Sequence, residues 1–294
     1  MGKEIKLEDV RNNAVGKSLS REELERFQVG IEEERIIKTR DGETRIFFYA
    51  PLEKKDSYPV FINLHGGGFV KGHRDQDVVF CKNIAQNSGY VVIDIDYHTA
   101  PEKQYPYALN ECYDVVKYVT EHPQEFMADT DVLVIAGHSA GANLTVGVEF
   151  LALESKEFRP TLLILDYPPL DLVKDPAERR YAYAPDSRIP VEQLRMYNEW
   201  YIEKQYRKEI TASPVYASPD ELEDFPPVVM ILAESDSLSE EGVRFTSQLV
   251  DAGVTVYAKR VKGSSHGFTV RRTEGFEAAE EMIFTALRKQ KGKR

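Results

Sequence analysis

Two periods alternate along this chain. Short apolar runs rich in β-branched residues recur at 58–64, 90–96, 132–136, 161–166, 227–233 and 254–261, each the length of a strand buried on both faces. Between them lie segments with helical spacing. These cover 74–88, 107–122 (with Leu109, Val115, Val116 and Val119 apolar), the stretch after Ser139 that carries Ala142, Leu144, Val146, Val148, Phe150 and Leu151, 238–251 and 273–289. Two earlier runs, 33–39 and 45–49, meet at Asp41-Gly42 and predict an antiparallel hairpin. Further upstream, Ser20-Arg-Glu-Glu23 is a capping box, so a short helix begins at Arg21, with Leu24, Phe27 and Val29 set to pack. The alternation breaks once. From Pro168 to Ser213 there are several prolines, many tyrosines, one helical segment at 191–206 and no strand. A single interruption of this kind predicts an insertion over a sheet, and the whole predicts one doubly wound α/β domain with helices on both faces.

Composition supports that reading. The chain has 294 residues, 42% hydrophobic and 30% charged, which is enough for one large core. Its formal net charge of -11 argues against nucleic acid or an anionic membrane as partner. Cys81 and Cys112 fall in helical apolar patterns, which predicts buried thiols, and no metal-type spacing is present, so no metal and no cofactor are expected. The first residues are charged where a signal peptide needs an apolar core, no run is long enough to cross a bilayer, and Lys6 stands where a myristoylation signal needs Ser or Thr. The expected setting is cytoplasmic.

Candidate chemistry centres on Gly137-His138-Ser139-Ala140-Gly141, the G-x-S-x-G pattern between a strand and a helix. So tight a reversal pushes the central serine out of the sheet, beside a helix N-terminus that favours negative charge. On the pattern alone, a solvated serine in a tight turn accounts for the residues equally well. Partners shift the balance. His65-Gly66-Gly67-Gly68-Phe69 follows a strand, and three glycines leave backbone N–H groups facing open space, as an oxyanion site requires. A serine nucleophile also needs a base and a group to orient it. His266 follows the last apolar run and is the one histidine downstream of Ser139; Asp236 follows the run before it. The order Ser, Asp, His is that of the α/β-hydrolase motif. Glu234 is a rival to Asp236 that could instead cap the following helix or pair with a lysine, and Asp166 and Asp171 are weaker rivals. On a sharp turn neighbouring side chains diverge, so His138 is expected to point away from Ser139. His65 is expected to brace the glycine loop.

Together these residues resemble the hormone-sensitive-lipase-like family of α/β-hydrolases, which includes bacterial acetyl esterases. His65-Gly-Gly-Gly68, Asp96-Tyr97 with Ala100-Pro101-Glu102, Gly137-x-Ser139-Ala-Gly141, the Asp236 loop and His266-Gly-Phe268 come in the family's order over about residues 30–290. The resemblance implies the α/β-hydrolase fold, an eight-stranded, mostly parallel sheet, with a helical cap contributed by about 1–30 and 171–208. It implies an oxyanion hole from the N–H groups of Gly67, Gly68 and Ala140, and structural roles for Pro101, Glu102 and Asp171. Phe69, Tyr97, Tyr197, Trp200, Tyr201 and Phe268 are the residues expected near substrate; Tyr181 and Tyr183 join the aromatics of the insertion, which could equally pack the cap on the core. The chain departs from the family at His138, where an Asp is common, at Ser237, where Asp-Pro-Leu is common, and at His98-Thr99.

The expected activity is that of a serine carboxylesterase acting on short-acyl esters of small soluble molecules. Two alternatives stay open: an amidase of the arylformamidase type on the same three residues, and a non-catalytic ligand receptor on a hydrolase scaffold. A small-molecule ester is the expected partner, and a homodimer is compatible with the sequence.

Overall fold

The computed structural model describes residues 5–13, 19–180 and 189–292. Eight strands form one sheet: β1 (Ile31–Thr39), β2 (Gly42–Ala50), β3 (Tyr58–Leu64), β4 (Val91–Asp96), β5 (Ala128–His138), β6 (Leu162–Asp166), β7 (Val228–Ser235) and β8 (Val256–Ser265). Their spatial order is β1-β2-β4-β3-β5-β6-β7-β8. β2 runs antiparallel to β1 and to β4, and every other neighbouring pair is parallel. The α-helices are α1 (Leu7–Asn13), α2 (Arg21–Leu24), α3 (Asp75–Ser88), α4 (Tyr107–Glu121), α5 (Ala140–Ser155), α6 (Val191–Tyr201), α7 (Pro219–Leu222), α8 (Ser239–Asp251), α9 (Phe268–Arg271) and α10 (Phe276–Lys291).

The strand period of two sorts the apolar residues onto two cores. Val60, Ile62, Leu133, Ile135, Leu163, Leu165, Val228 and Met230 face α4, α5 and α8. Phe61, Val132, Val134, Ala136, Leu162, Ile164, Val229 and Ile231 face α3, α9 and α10. With both faces covered, the central strands read as continuous apolar runs. Cys81 on α3 and Cys112 on α4 are free buried thiols in opposite cores.

The expected elements form with shifted ends, and three helices, α1, α7 and α9, appear that periodicity does not announce. The capping box at Ser20 and Glu23 is present, but α2 buries no residue, and Leu24, Phe27 and Val29 are half-buried. α6 ends at Tyr201, short of 206, because Ile202 turns extended at φ -147°; residues Lys204–Tyr206 form a separate 3-10 turn. α1 is held by distant partners. Val10 is buried, and the Arg11 guanidinium donates to Val70 O, Ala100 O and the Glu102 carboxylate. α9 is a single turn directly after Gly267. Tyr181 and Tyr183 lie outside the described residues. Among the described residues no helix is long and apolar enough to cross a membrane.

Candidate active site

Ser139 sits where β5 becomes α5, with φ 53° and ψ -118°. That conformation is sterically costly for a residue with a Cβ and persists only where its surroundings over-determine it. The glycines of the motif explain the tightness by close approach. A Cβ at Gly137 would lie 2.3 Å from the Gly141 backbone, and one at Gly141 would lie 1.9 Å from Leu64 O. The turn is pinned from the neighbouring strand, where Asp166 O accepts the Ser139 N–H at 2.8 Å.

Three side chains far apart in sequence converge here. His266 Nε2 lies 2.9 Å from Ser139 Oγ, and His266 Nδ1 lies 2.7 Å from Asp236 Oδ2. A carboxylate only accepts, so Nδ1 carries the proton and Nε2 is left to accept from the serine hydroxyl. The second Asp236 oxygen accepts the Leu238 N–H at 3.0 Å, which fixes the carboxylate at the start of α8. Ser139, Asp236 and His266 are 9%, 4% and 6% exposed. Glu234, the rival of Asp236, is occupied elsewhere: it accepts the Gly263 N–H and ties β7 to β8. Asp171 caps its own turn by accepting from Val173 and Lys174 N–H.

The glycine loop lies alongside. Gly67 and Gly68 have φ 140° and 62°, in the region that favours glycine. Among the described residues, neither N–H donates to a backbone acceptor, and neither does that of Ala140, the first residue of α5. Gly66 O accepts from His65 Nδ1 at 2.9 Å and from Arg74 Nη2 at 3.1 Å. His65 stacks on Tyr97 at 4.1 Å, and burial lowers its pKa, which keeps the imidazole neutral. Below it, burial works against a charged His73. The carboxylate of Asp94, 2.6 Å from His73 Nε2, outweighs that and raises the imidazole to about 9. Burial would raise Asp94 in turn, but His73 and Asn63 hold it below the usual carboxylate range.

The six aromatics expected near substrate divide by position. Tyr97 and Phe268 are 1% and 0% exposed and belong to the two cores, where Tyr97 stacks on His65 and Phe268 packs on Tyr167. Phe69 stacks on Tyr201 at 3.7 Å, which fastens the glycine loop to the end of α6. Tyr197 rests on Gly68, where a Cβ would meet its ring at 2.6 Å. Trp200, one turn along α6, is half-buried. His138 turns away from Ser139, as a sharp reversal requires, and its Nδ1 donates to Asp166 Oδ2 at 2.8 Å. Sequence reasoning named Asp166 only as a rival triad acid and missed Tyr167, whose ring lies 4.8 Å from that of His266. The available signal was the polar Asp166 ending an otherwise apolar strand. Among the described residues no group of three or more His, Cys, Asp or Glu side chains is arranged to hold a metal ion.

Known proteins are similar to this chain in sequence and fold. A family profile described as alpha/beta hydrolase fold matches residues 61–270. An ethyl acetate hydrolase from Pseudomonas putida is 30% identical over 265 residues, covering 85% of this chain and 80% of that protein. An acetyl esterase from Salmonella paratyphi B is 29% identical over 237 residues, covering 79% of this chain and 71% of the relative. Among solved structures, the esterase of Pyrobaculum calidifontis superposes with a TM-score of 0.88 at 27% identity, covering 96% of this chain and 92% of that one. With the strand order, the strained serine turn and the profile match in agreement, the chain belongs to the α/β-hydrolases, in the hormone-sensitive-lipase-like group whose motifs it carries.

Proposed function

We propose that this protein is a serine carboxylesterase that hydrolyses short-acyl esters of small molecules through an acyl-enzyme. Ser139 Oγ attacks the ester carbonyl carbon while His266 Nε2 takes its proton. Asp236 holds the imidazole tautomer and stabilises the imidazolium that forms. The N–H groups of Gly67, Gly68 and Ala140 donate to the tetrahedral oxyanion, and loss of one such donor costs about 2.7–4 kcal/mol. The intermediate collapses, the bond to the alcohol oxygen breaks, and His266 returns its proton to the leaving group. Water then repeats the sequence and frees the acid.

The observation that carries this reading is the unbroken relay of 2.9 and 2.7 Å from Ser139 through His266 to Asp236. The names of the Pseudomonas and Salmonella relatives favour acetyl-sized acyl groups. We take about 1–30 and 171–208 as the cap of a single 1–294 domain, with Tyr197 and Trp200 beside the acyl group. Two free buried thiols favour a reducing, cytoplasmic setting. The test is an acyl-length series of p-nitrophenyl esters, from acetate to decanoate, on wild type and Ser139→Ala. Turnover is expected to peak at the short end and to vanish in the variant. Wild-type turnover by Ser139→Ala would refute the assignment.

A further inference from the structure

Beside the nucleophile, on the turn that carries it, lies a further buried His–Asp pair. His138 and Asp166 face each other on the last rung of the β5–β6 ladder, and both are at most 2% exposed. They continue rows that are otherwise apolar: Val132, Val134 and Ala136 on β5, Leu162 and Ile164 on β6. Taking such a pair out of water is costly, and apolar residues of similar size often replace one at no loss of stability. A structural core alone does not call for it at this position.

We propose that Asp166-Tyr167 is a positioning corner that sets Ser139 against His266; this rests on the serine-esterase reading above. Asp166 holds the nucleophile's turn twice. Its carbonyl accepts the Ser139 N–H at 2.8 Å, and its carboxylate accepts from His138 Nδ1 at 2.8 Å. The His138 ring is wedged edge-on against Phe80 of α3, with centroids 4.4 Å apart. The adjacent residue holds the base. Tyr167 is at φ 42°, its N–H donates to Ile231 O of β7 at 2.7 Å, and its ring meets the His266 imidazole at 61° and 4.8 Å. Two consecutive residues therefore touch the turn that carries the nucleophile, the ring of the base, and the strand leading to Asp236. Neither His138 nor Asp166 reaches the reacting atoms, so the corner acts on their spacing. A near-attack geometry lost by a fraction of an ångström slows the chemical step while leaving binding intact.

The experiment measures kcat and KM on p-nitrophenyl acetate, and the rate of fluorophosphonate labelling, for the full chain. Folding of each variant is checked by its denaturation midpoint. His138→Leu and Tyr167→Leu are expected to lose at least tenfold in kcat and in labelling rate, about 1.4 kcal/mol in barrier, with KM within twofold. His138→Asn, which keeps a donor where Nδ1 stood, and Tyr167→Phe, which keeps the ring, recover to within threefold of wild type. If His138→Leu does not fold, the Tyr167 pair of variants decides alone. A folded leucine variant with wild-type kcat, or one that raises KM only, overturns the corner provided Ser139→Ala is inactive. Activity in Ser139→Ala would instead overturn the reading beneath it.

Discussion

Glu149 is a carboxyl group with nowhere to put a charge. It lies fully buried on α5, and neither of its oxygens has a hydrogen-bond partner among the described residues. Burial raises its pKa from 4.5 to about 8, against a small opposing pull from Arg159. The folded pKa is above the unfolded one, so the unfolded chain gives up this proton first. Stability therefore falls as pH rises from about 4.5 to about 8, at about 1.4 kcal/mol per pH unit. The penalty works out at about 3 kcal/mol at pH 7 and about 5 kcal/mol above pH 9. Glu149→Gln keeps the shape and removes the titration. Urea unfolding at pH 5, 7 and 9, with m-values unchanged, reads the difference directly. The variant is expected to match wild type within about 1 kcal/mol at pH 5 and to exceed it by about 3 kcal/mol at pH 7. A difference that stays constant across the three pH values would refute the reasoning, because it would mean that the carboxylate finds solvent or a partner.

Asp236→Asn leaves the site's shape intact but favours the wrong His266 tautomer; kcat on p-nitrophenyl acetate should fall by about 10⁴, and a loss under tenfold would remove Asp236 from the relay. In Gly141→Ala the new Cβ would lie 1.9 Å from Leu64 O, so β3 and α5 must part. The expected cost is about 1–3 kcal/mol or more, with reduced turnover because Ser139 rides on that turn; an unchanged melting temperature would contradict the close approach. His73, raised to about 9 by Asp94 against the opposing effect of burial, contributes stability that is complete below about pH 6.5 and is lost as pH rises through 9. Replacing it in His73→Gln should remove about 3 kcal/mol of pH dependence over that window, and identical slopes for variant and wild type would show that the pair does not form.

How far the chain could be read in advance depended on the range of the interaction involved. Apolar runs of strand length marked the β-strands because a strand buried on both faces leaves its composition in consecutive residues. The glycines around Ser139 were legible because only a residue without a Cβ tolerates backbone at 2.3 Å. The base and its orienting acid emerged from chain order, with Glu234 left as a rival until the Gly263 N–H was seen to occupy it. α1 left no readable period because its anchors, Val70, Ala100 and Glu102, lie 59 to 91 residues away from Arg11.

The sequence by itself determined the strands of the sheet and the long helices between them, where the chain had to reverse within five residues, and which side chains could do acyl chemistry. Those are properties of short windows, governed by backbone sterics and the period of apolar positions. Tertiary structure alone decided that His266 meets Ser139 across 127 positions, that His138 and Asp166 share a rung, and that Tyr97 and Phe268 are buried in the two cores. Each of these depends on strand order and register, which are set by the sum of many non-local contacts, and no short window carries that sum.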